Sequence, residues 1–217
     1  MSEEFPLVLA SASPRRKRLL EQVGIPIRVR PSHIEESGVE GVDPEKTVEE
    51  LAVKKAMGAK DLAEAEGLWV LGADTVVVLG NSVLGKPADA EDARTMLSRL
   101  SDREHKVITG FCILSPGTHR GVFSSSVTTH VKIKELSPRE IEAYIATGEP
   151  FDKAGSYGIQ GIGAFMVESI TGSYTNVVGL PICAVIKALV ALGAVKTFPF
   201  GKMERAGSLE ENERRRP

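Results

Sequence analysis

The segment LWVLGADTVVVL, residues 68–79, is apolar on both faces of any strand that it could form. Such a strand must be covered on both sides, so it predicts the central strand of a sheet flanked by helices. The same segment contains Asp74, and a buried carboxylate is costly unless it is paired, protonated or bound to a metal. Asp74 therefore either contacts a ligand where the strand opens into a cleft, or forms a hydrogen bond with its own backbone at a bulge.

The remaining hydrophobic patterns alternate between the strand period and the helix period. Strands are predicted at residues 6–10, 25–30, 82–84, 104–115 and 121–133, in addition to 68–79. Helices are predicted at residues 14–23, 44–66 (with Thr47 as an alternative start), 90–100, 138–147 and 181–192, and residues 148–179 are rich in Gly, Tyr and Ser. This mixture indicates an α/β protein with one domain, residues 1–201, formed by two lobes around a cleft. The charged residues 202–217 are predicted to be a disordered tail.

The charge balance excludes several classes of function. A net charge of -2 and a pI near 6.1 argue against binding to long nucleic acid, which needs a strongly cationic face. A local basic pocket for a small anion remains compatible with that balance. The acidic start MSEEF has no apolar signal region, and the longest apolar runs are too short to span a bilayer, so we expect a cytoplasmic protein without membrane contact.

The motif SASPRR, which begins at Ser11, lies at a predicted strand-to-helix turn. Backbone N–H groups at the start of a helix bind phosphate, and guanidinium groups are suited to phosphate oxygens. Arg15 and Arg16 oppose the helix dipole at this position. Their placement indicates an anionic ligand, with a solvated basic first turn as the alternative.

The run DKAGSYGIQGIG, residues 152–163, is dense in glycine, which allows a backbone to approach a ligand closely. Within it, Gln160 offers an amide donor and a carbonyl acceptor that can read the edge of a base. A purely structural loop is the alternative. Lys55 in LAVKKA and Lys86 in GKP would each be taken alone as solvated surface lysines.

Signatures of other enzyme classes are missing from the sequence. It contains no Walker A loop, no GxSxG elbow and no GxGxxG that opens a helix after a strand. The four histidines have no partner at the spacing of metal ligands, so we interpret them as non-catalytic.

Together these segments resemble the Maf family, the septum-formation-inhibitor-like nucleotide pyrophosphatases. The similar segments are SASPRR, LAVKKA, GADTVVV, GKP and the long run from DKAGSYGIQGIG to ITGSYTNVVGLP, in the order of the family. The resemblance implies a Maf/HAM1-like fold with a mixed, elongated central sheet flanked by helices. It also implies hydrolysis of a nucleoside triphosphate to the monophosphate and pyrophosphate with a divalent cation, Mg²⁺ or Mn²⁺.

The resemblance also implies roles for individual residues. Asp74 is similar to the family's proton acceptor and metal ligand. Glu36 is similar to an acidic residue that is linked to the metal in the family. An alignment shifted by one residue would place Glu35 at this position equally well. The implied substrate-binding residues are Ser11, Arg15, Arg16, Lys55, Thr75, Lys86 and Gln160.

The DKAGSYGIQG form is similar to the branch of the family that acts on dTTP and UTP. A pyrophosphatase of the 7-methyl-GTP type is one alternative, and a nucleotide-binding regulator of cell division is another. A protein that only binds nucleotide has no need for an unpaired Asp74 beside phosphates, which it would repel. A homodimer is expected from base rates alone.

Overall fold

The computed structural model describes residues 6–32, 43–61, 67–116, 122–196 and 198–199 of the chain. Within these residues the protein forms a seven-stranded sheet in the order β2-β1-β3-β5-β6-β7, with β4 beside β3. The strands are β1 (Leu7–Leu9), β2 (Ile27–Val29), β3 (Val70–Leu79), β4 (Ser82–Leu84), β5 (Glu104–Leu114), β6 (Val122–Ile133) and β7 (Val167–Thr171). β2, β1 and β3 are parallel, and the other pairings are antiparallel, so the sheet is mixed as predicted.

Helices cover both faces of the sheet. They are α1 (Pro14–Gln22), α2 (Pro44–Met57), α3 (Ala90–Leu100), α4 (Pro138–Ala146), α5 (Tyr174–Val178) and α6 (Ile182–Ala191). No helix in the described part of the chain is long and apolar enough to cross a membrane.

One edge of β3 is left open in the middle of the sheet. β1 pairs with β3 up to Leu71, and β4 begins to pair with the same edge at Val77. Between them, none of the strands that the structure describes covers β3. Ligands of α/β proteins bind beyond the carboxyl ends of strands, and the end of β1 opens onto this gap.

Side chains of β3 alternate between two faces, and on one face they join two separate hydrophobic clusters. Leu71 and Ala73 pack with α1 and α6. Val77 packs with α3 and α4. Thr75 lies between these two clusters, which form the cores of the two predicted lobes.

On the other face, α2 approaches the sheet closely because two glycines line its path. A Cβ atom at Gly72 would lie 2.6 Å from the backbone nitrogen of Ala56, and one at Gly110 would lie 2.6 Å from that of Glu49. Real Cβ atoms do not come so close to backbone atoms, so only glycine permits this packing. Gly110 is also the direct partner of Asp74 across the β3–β5 ladder. The two glycines thus bring α2 against the part of β3 that carries Asp74.

The elements with strong hydrophobic periods agree with the sequence predictions. Helix α3 has the predicted bounds, and α4 begins with a capping box of Ser137 and Glu140. Helix α2 ends at Met57, before the predicted end at residue 66, and Gly58 is its C-cap. Residues 62–66 and the predicted tail lie outside the described residues.

No helix or strand is predicted from the sequence for residues 148–179. This region contains β7, α5 and three short 3₁₀ helices. β7 pairs with β6, and Ser173 caps α5. These elements are too short to carry a hydrophobic period, so contacts with the rest of the protein decide them.

Candidate active site

A cleft of about 460 Å³ opens at the uncovered edge of β3. Its described walls come from the turn before α1, from α2, from β3, from the segment after β4 and from the glycine-rich region. Its cationic side chains are Arg15, Arg16, Lys55, Lys86 and Lys153, and its carboxylates are Asp74 and Asp152. This excess of positive charge suits a polyanionic ligand.

Asp74 lies on β3 at the floor of the cleft, where 6% of its surface is exposed. The Lys55 ammonium donates a hydrogen bond to Oδ1 of Asp74 at 2.5 Å, and Lys55 is similarly buried. The expectation that Asp74 is unpaired is therefore wrong. A lysine on α2 compensates its charge, as burial of a carboxylate requires. No residue that the structure describes donates a hydrogen bond to Oδ2, the other carboxylate oxygen.

Arg16 is buried at the base of the cleft and links three segments of the chain. Its Nε donates to the carbonyl of Gly179 at 2.8 Å, and one terminal nitrogen donates to the carbonyl of Ala73 at 2.9 Å. The terminal nitrogens also contact the hydroxyls of Ser11 and Thr75, at 3.2 and 3.0 Å. Backbone carbonyls thus stabilise the guanidinium despite its unfavourable position near the start of α1.

Arg15, the neighbouring cation, points across the cleft to the glycine-rich region. It donates to the carboxylate of Asp152 at 2.6 Å and to the carbonyl of the same residue at 3.2 Å. Lys153 donates to the other oxygen of that carboxylate at 2.6 Å. Partial burial raises the pKa of Asp152, but the hydrogen bonds from Lys153 and Arg15 outweigh it, so the pKa lies below its usual value.

The predicted site residues within the described part of the chain all line this one cleft. They are Ser11, Arg15, Arg16, Lys55, Asp74, Thr75, Lys86 and Gln160. Five separate segments of the chain contribute them. Glu36 and Glu35 lie outside the described residues, so the predicted role of Glu36 as a metal ligand stays a prediction.

The local sequence explains how the first of these segments is shaped. Ser13 is the N-cap of α1 and accepts a hydrogen bond from the backbone of Arg16, while Pro14 occupies the first turn. Ser11, just after β1, accepts a hydrogen bond from the backbone nitrogen of Ser13 at 3.2 Å. The turn therefore holds both arginines at the end of β1.

Asp152 and Lys153 also line the cleft, although no role was predicted for either of them from the sequence. In the sequence, these two residues are visible only as the charged pair that begins the glycine-rich run. A charged pair at the start of a loop is usually solvated, and only the fold places this one opposite Arg15.

The described residues contain no group of three or more His, Cys, Asp or Glu side chains able to hold a metal ion. Asp74 still supplies the type of ligand that Mg²⁺ and Mn²⁺ prefer, a hard carboxylate oxygen. A triphosphate would add further oxygens of the same kind. The donor chemistry of the cleft thus fits a divalent cation that is shared between Asp74 and phosphate.

Comparison with known proteins adds a family match that spans this site. A family model described as Maf-like protein matches residues 6–192. The dTTP/UTP pyrophosphatase of Syntrophotalea carbinolica is 50% identical over 192 residues, which are 88% of this chain and 87% of that protein. The dTTP/UTP pyrophosphatase of Citrifermentans bemidjiense is 51% identical over 87% of this chain and 96% of its own length.

Among solved structures, a HAM1 protein from Coxiella burnetii aligns with 64% of this chain and 90% of its own. The two share 19% sequence identity, and the TM-score is 0.44.

Proposed function

This chain belongs to the Maf-like protein family, and we propose that it is a pyrophosphatase that hydrolyses dTTP and UTP to the monophosphate and pyrophosphate. The observation that carries the proposal is a buried carboxylate, Asp74, at the floor of a cleft lined by cationic side chains. Relatives that are about half identical over most of their length bear the name dTTP/UTP pyrophosphatase.

The cations bind the triphosphate and orient it. Arg15, Lys86 and Lys153 reach the cleft from three segments, so they can contact different phosphates. Lys86 is exposed, and Arg15 is shared with Asp152. Cationic groups fixed on separate segments stabilise charge that develops on the phosphates during hydrolysis.

Asp74 acts as the general base. Lys55 holds Oδ1 of Asp74, and Oδ2 takes the proton from the attacking water. The attack is on the α-phosphorus, which releases pyrophosphate and leaves the monophosphate in one step. Lys55 fixes the direction of the carboxylate, so the proton acceptor is in place before the substrate binds.

The role of Arg16 is to hold segments of the site together rather than to extend toward the substrate. Its bonds to Ala73 and Gly179 hold β3 and the segment after α5 on either side of the cleft. A phosphate beside Arg16 would still benefit from its charge, which is screened little in a buried position.

A divalent cation would be held by Asp74, by Glu36 and by phosphate oxygens. When bound, such an ion neutralises phosphate charge and favours departure of the pyrophosphate. The residues of this chain provide the remaining functions, which are to bind the substrate and to accept the proton.

Selection of the base depends on Gln160, which lines the cleft and is exposed. Its amide can donate to the O4 carbonyl of uracil or thymine and accept from N3–H. Cytosine presents the opposite pattern at these two positions. Thr75 and Arg15 complete the predicted specificity residues, closer to the phosphates.

The proposal is tested by measuring pyrophosphate release from dTTP, UTP, CTP, ATP, GTP and 7-methyl-GTP, with and without Mg²⁺ or Mn²⁺. We expect the highest kcat/KM with dTTP and UTP. Faster cleavage of 7-methyl-GTP would assign the protein to the other type of pyrophosphatase. Binding of nucleotide without release of pyrophosphate under every condition would instead indicate a regulator.

A further inference from the structure

The glycine-rich segment that carries Gln160 folds over the carboxylate of Glu149. Oε2 of Glu149 accepts a hydrogen bond from the backbone nitrogen of Ile162 at 2.9 Å. Oε1 accepts one from the backbone nitrogen of Gly163 at 3.0 Å and one from the hydroxyl of Tyr144 at 3.0 Å. One side chain thereby binds the segment that immediately follows Gln160.

Glycine is required at the positions where the segment closes on this carboxylate. Gly161 has φ of +74°, and a Cβ there would lie 2.8 Å from Oε2 of Glu149. A Cβ at Gly163 would lie 2.6 Å from the hydroxyl oxygen of Tyr144. The backbone can therefore wrap around Glu149 only without side chains at these two positions.

The charge of Glu149 suits this arrangement. Desolvation raises its pKa, but hydrogen bonds from Gly163, Ile162 and Tyr144 lower it, and the pKa lies below its usual value. At neutral pH the carboxylate is ionised and is an acceptor only, which matches three donors. Lys153 strengthens the same region by donating to the carbonyl of Glu149 at 2.6 Å.

We propose that Glu149, supported by Tyr144, is a positioning residue for selection of the nucleobase. It does not line the described walls of the cleft. It acts by fixing the backbone at residues 161–163, and so the direction in which Gln160 presents its amide. This inference rests on the proposed function, in which Gln160 reads uracil or thymine.

The test is the ratio of kcat/KM for UTP to kcat/KM for CTP, because the two bases reverse the pattern that the Gln160 amide reads. Glu149→Gln keeps the shape of the side chain but places an amide against backbone N–H groups. We expect this variant to lower the ratio about tenfold, the equivalent of one well-placed hydrogen bond. Tyr144→Phe removes a single donor and should lower the ratio about threefold.

Glu168→Gln is the matched control. Glu168 is exposed on β7, and its carboxylate has no hydrogen bond to any residue that the structure describes. The same change from carboxylate to amide should leave the ratio, kcat and KM as in the unmodified protein.

A double-variant cycle separates positioning from general stability. In a Gln160→Ala background, where no amide remains to be positioned, Glu149→Gln should not lower the ratio further. The proposal is overturned if Glu149→Gln lowers kcat/KM for UTP and CTP equally, since that would mean a structural role alone. If Glu149→Gln does not fold, Tyr144→Phe decides by the same criterion.

Failure of the underlying function gives a different result. If the unmodified protein releases no pyrophosphate from UTP, the proposed function and this inference both fail. The other case is an active unmodified protein with a preference for UTP over CTP that is lost in Gln160→Ala. If neither Glu149→Gln nor Tyr144→Phe then changes the ratio of kcat/KM for UTP to that for CTP, only the inference on Glu149 fails.

Discussion

The ammonium of Lys55 lies 2.5 Å from Oδ1 of Asp74, and both residues are less than a tenth exposed. This ion pair connects α2 to β3 at the floor of the cleft. Removal of Lys55 would leave the Asp74 carboxylate buried without compensation, so Lys55 contributes to stability as well as to the proposed chemistry. The two contributions can be measured separately.

Asp74→Asn is expected to lower turnover by about 10² or more, because an amide cannot accept the proton of the attacking water. The amide oxygen can still accept the hydrogen bond from Lys55, so the variant should stay folded. Pyrophosphate release measures the loss, with Glu168→Gln as the control. Near-full activity of Asp74→Asn would remove Asp74 from the role of general base.

Lys55→Met is expected to lower the free energy of unfolding by about 3–5 kcal/mol, because it leaves the Asp74 carboxylate buried without its partner. Adding Asp74→Asn removes that charge, so the double variant should be more stable than Lys55→Met alone. Urea unfolding of the two variants gives the comparison. Equal stabilities would show that Lys55 does not compensate Asp74.

Arg15→Ala is expected to raise KM for UTP by about tenfold or more, since hydrogen bonds to charged groups contribute about 1.5–3 kcal/mol. The change in kcat should be smaller. Arg18→Ala removes an exposed arginine from the same helix and serves as the control. The role of Arg15 in binding would be contradicted by an unchanged KM.

Gly110→Ala is expected to lower the free energy of unfolding by about 1–3 kcal/mol, because the added Cβ forces α2 away from the sheet. Turnover should fall as well, because α2 carries Lys55 to Asp74. Gly85→Ala is the control for stability, since a Cβ there meets no atom within 4 Å. Thermal unfolding of both variants tests whether close packing at Gly110 is required.

His105 is expected to make stability depend on pH. Burial lowers its pKa from 6.5 to about 4, and its Nε2 lies 2.7 Å from the hydroxyl of Tyr157. Below pH 6.5 the unfolded chain binds a proton that the folded protein does not, so the free energy of unfolding falls as the pH is lowered. The loss ends near pH 4, where the folded protein is protonated too.

Between pH 7 and pH 5 this loss should reach about 2 kcal/mol, given 1.36 kcal/mol for each unit of pKa shift. His105→Gln should remove most of this pH dependence. His130→Gln, which changes an exposed histidine, should leave it intact. Urea unfolding at several pH values measures the difference, and equal slopes for His105→Gln and the unmodified protein would contradict the assignment.

Asp74, Arg15 and Arg16 could be named from the sequence because each has unusual chemistry for its position, whereas Lys55 and Lys86 were named only through the resemblance to the Maf family. Asp74 interrupts an apolar strand, and Arg15 and Arg16 oppose a helix dipole. Their partners could not be predicted in this way. Lys55 is 19 residues from Asp74, and the acceptors Ala73 and Gly179 are 57 and 163 residues from Arg16.

The sequence by itself determined the elements whose signals are local. The central position of β3, the bounds of α3 and the caps of α1 and α4 follow from hydrophobic period and from short-range hydrogen bonds. Only the tertiary structure decided the path of residues 148–179 and the pairing within the cleft. Those features depend on contacts between distant segments, such as Glu149 with Gly163 and Arg15 with Asp152. Such contacts produce no periodic pattern in the sequence, because they form only after the sheet has brought the segments together.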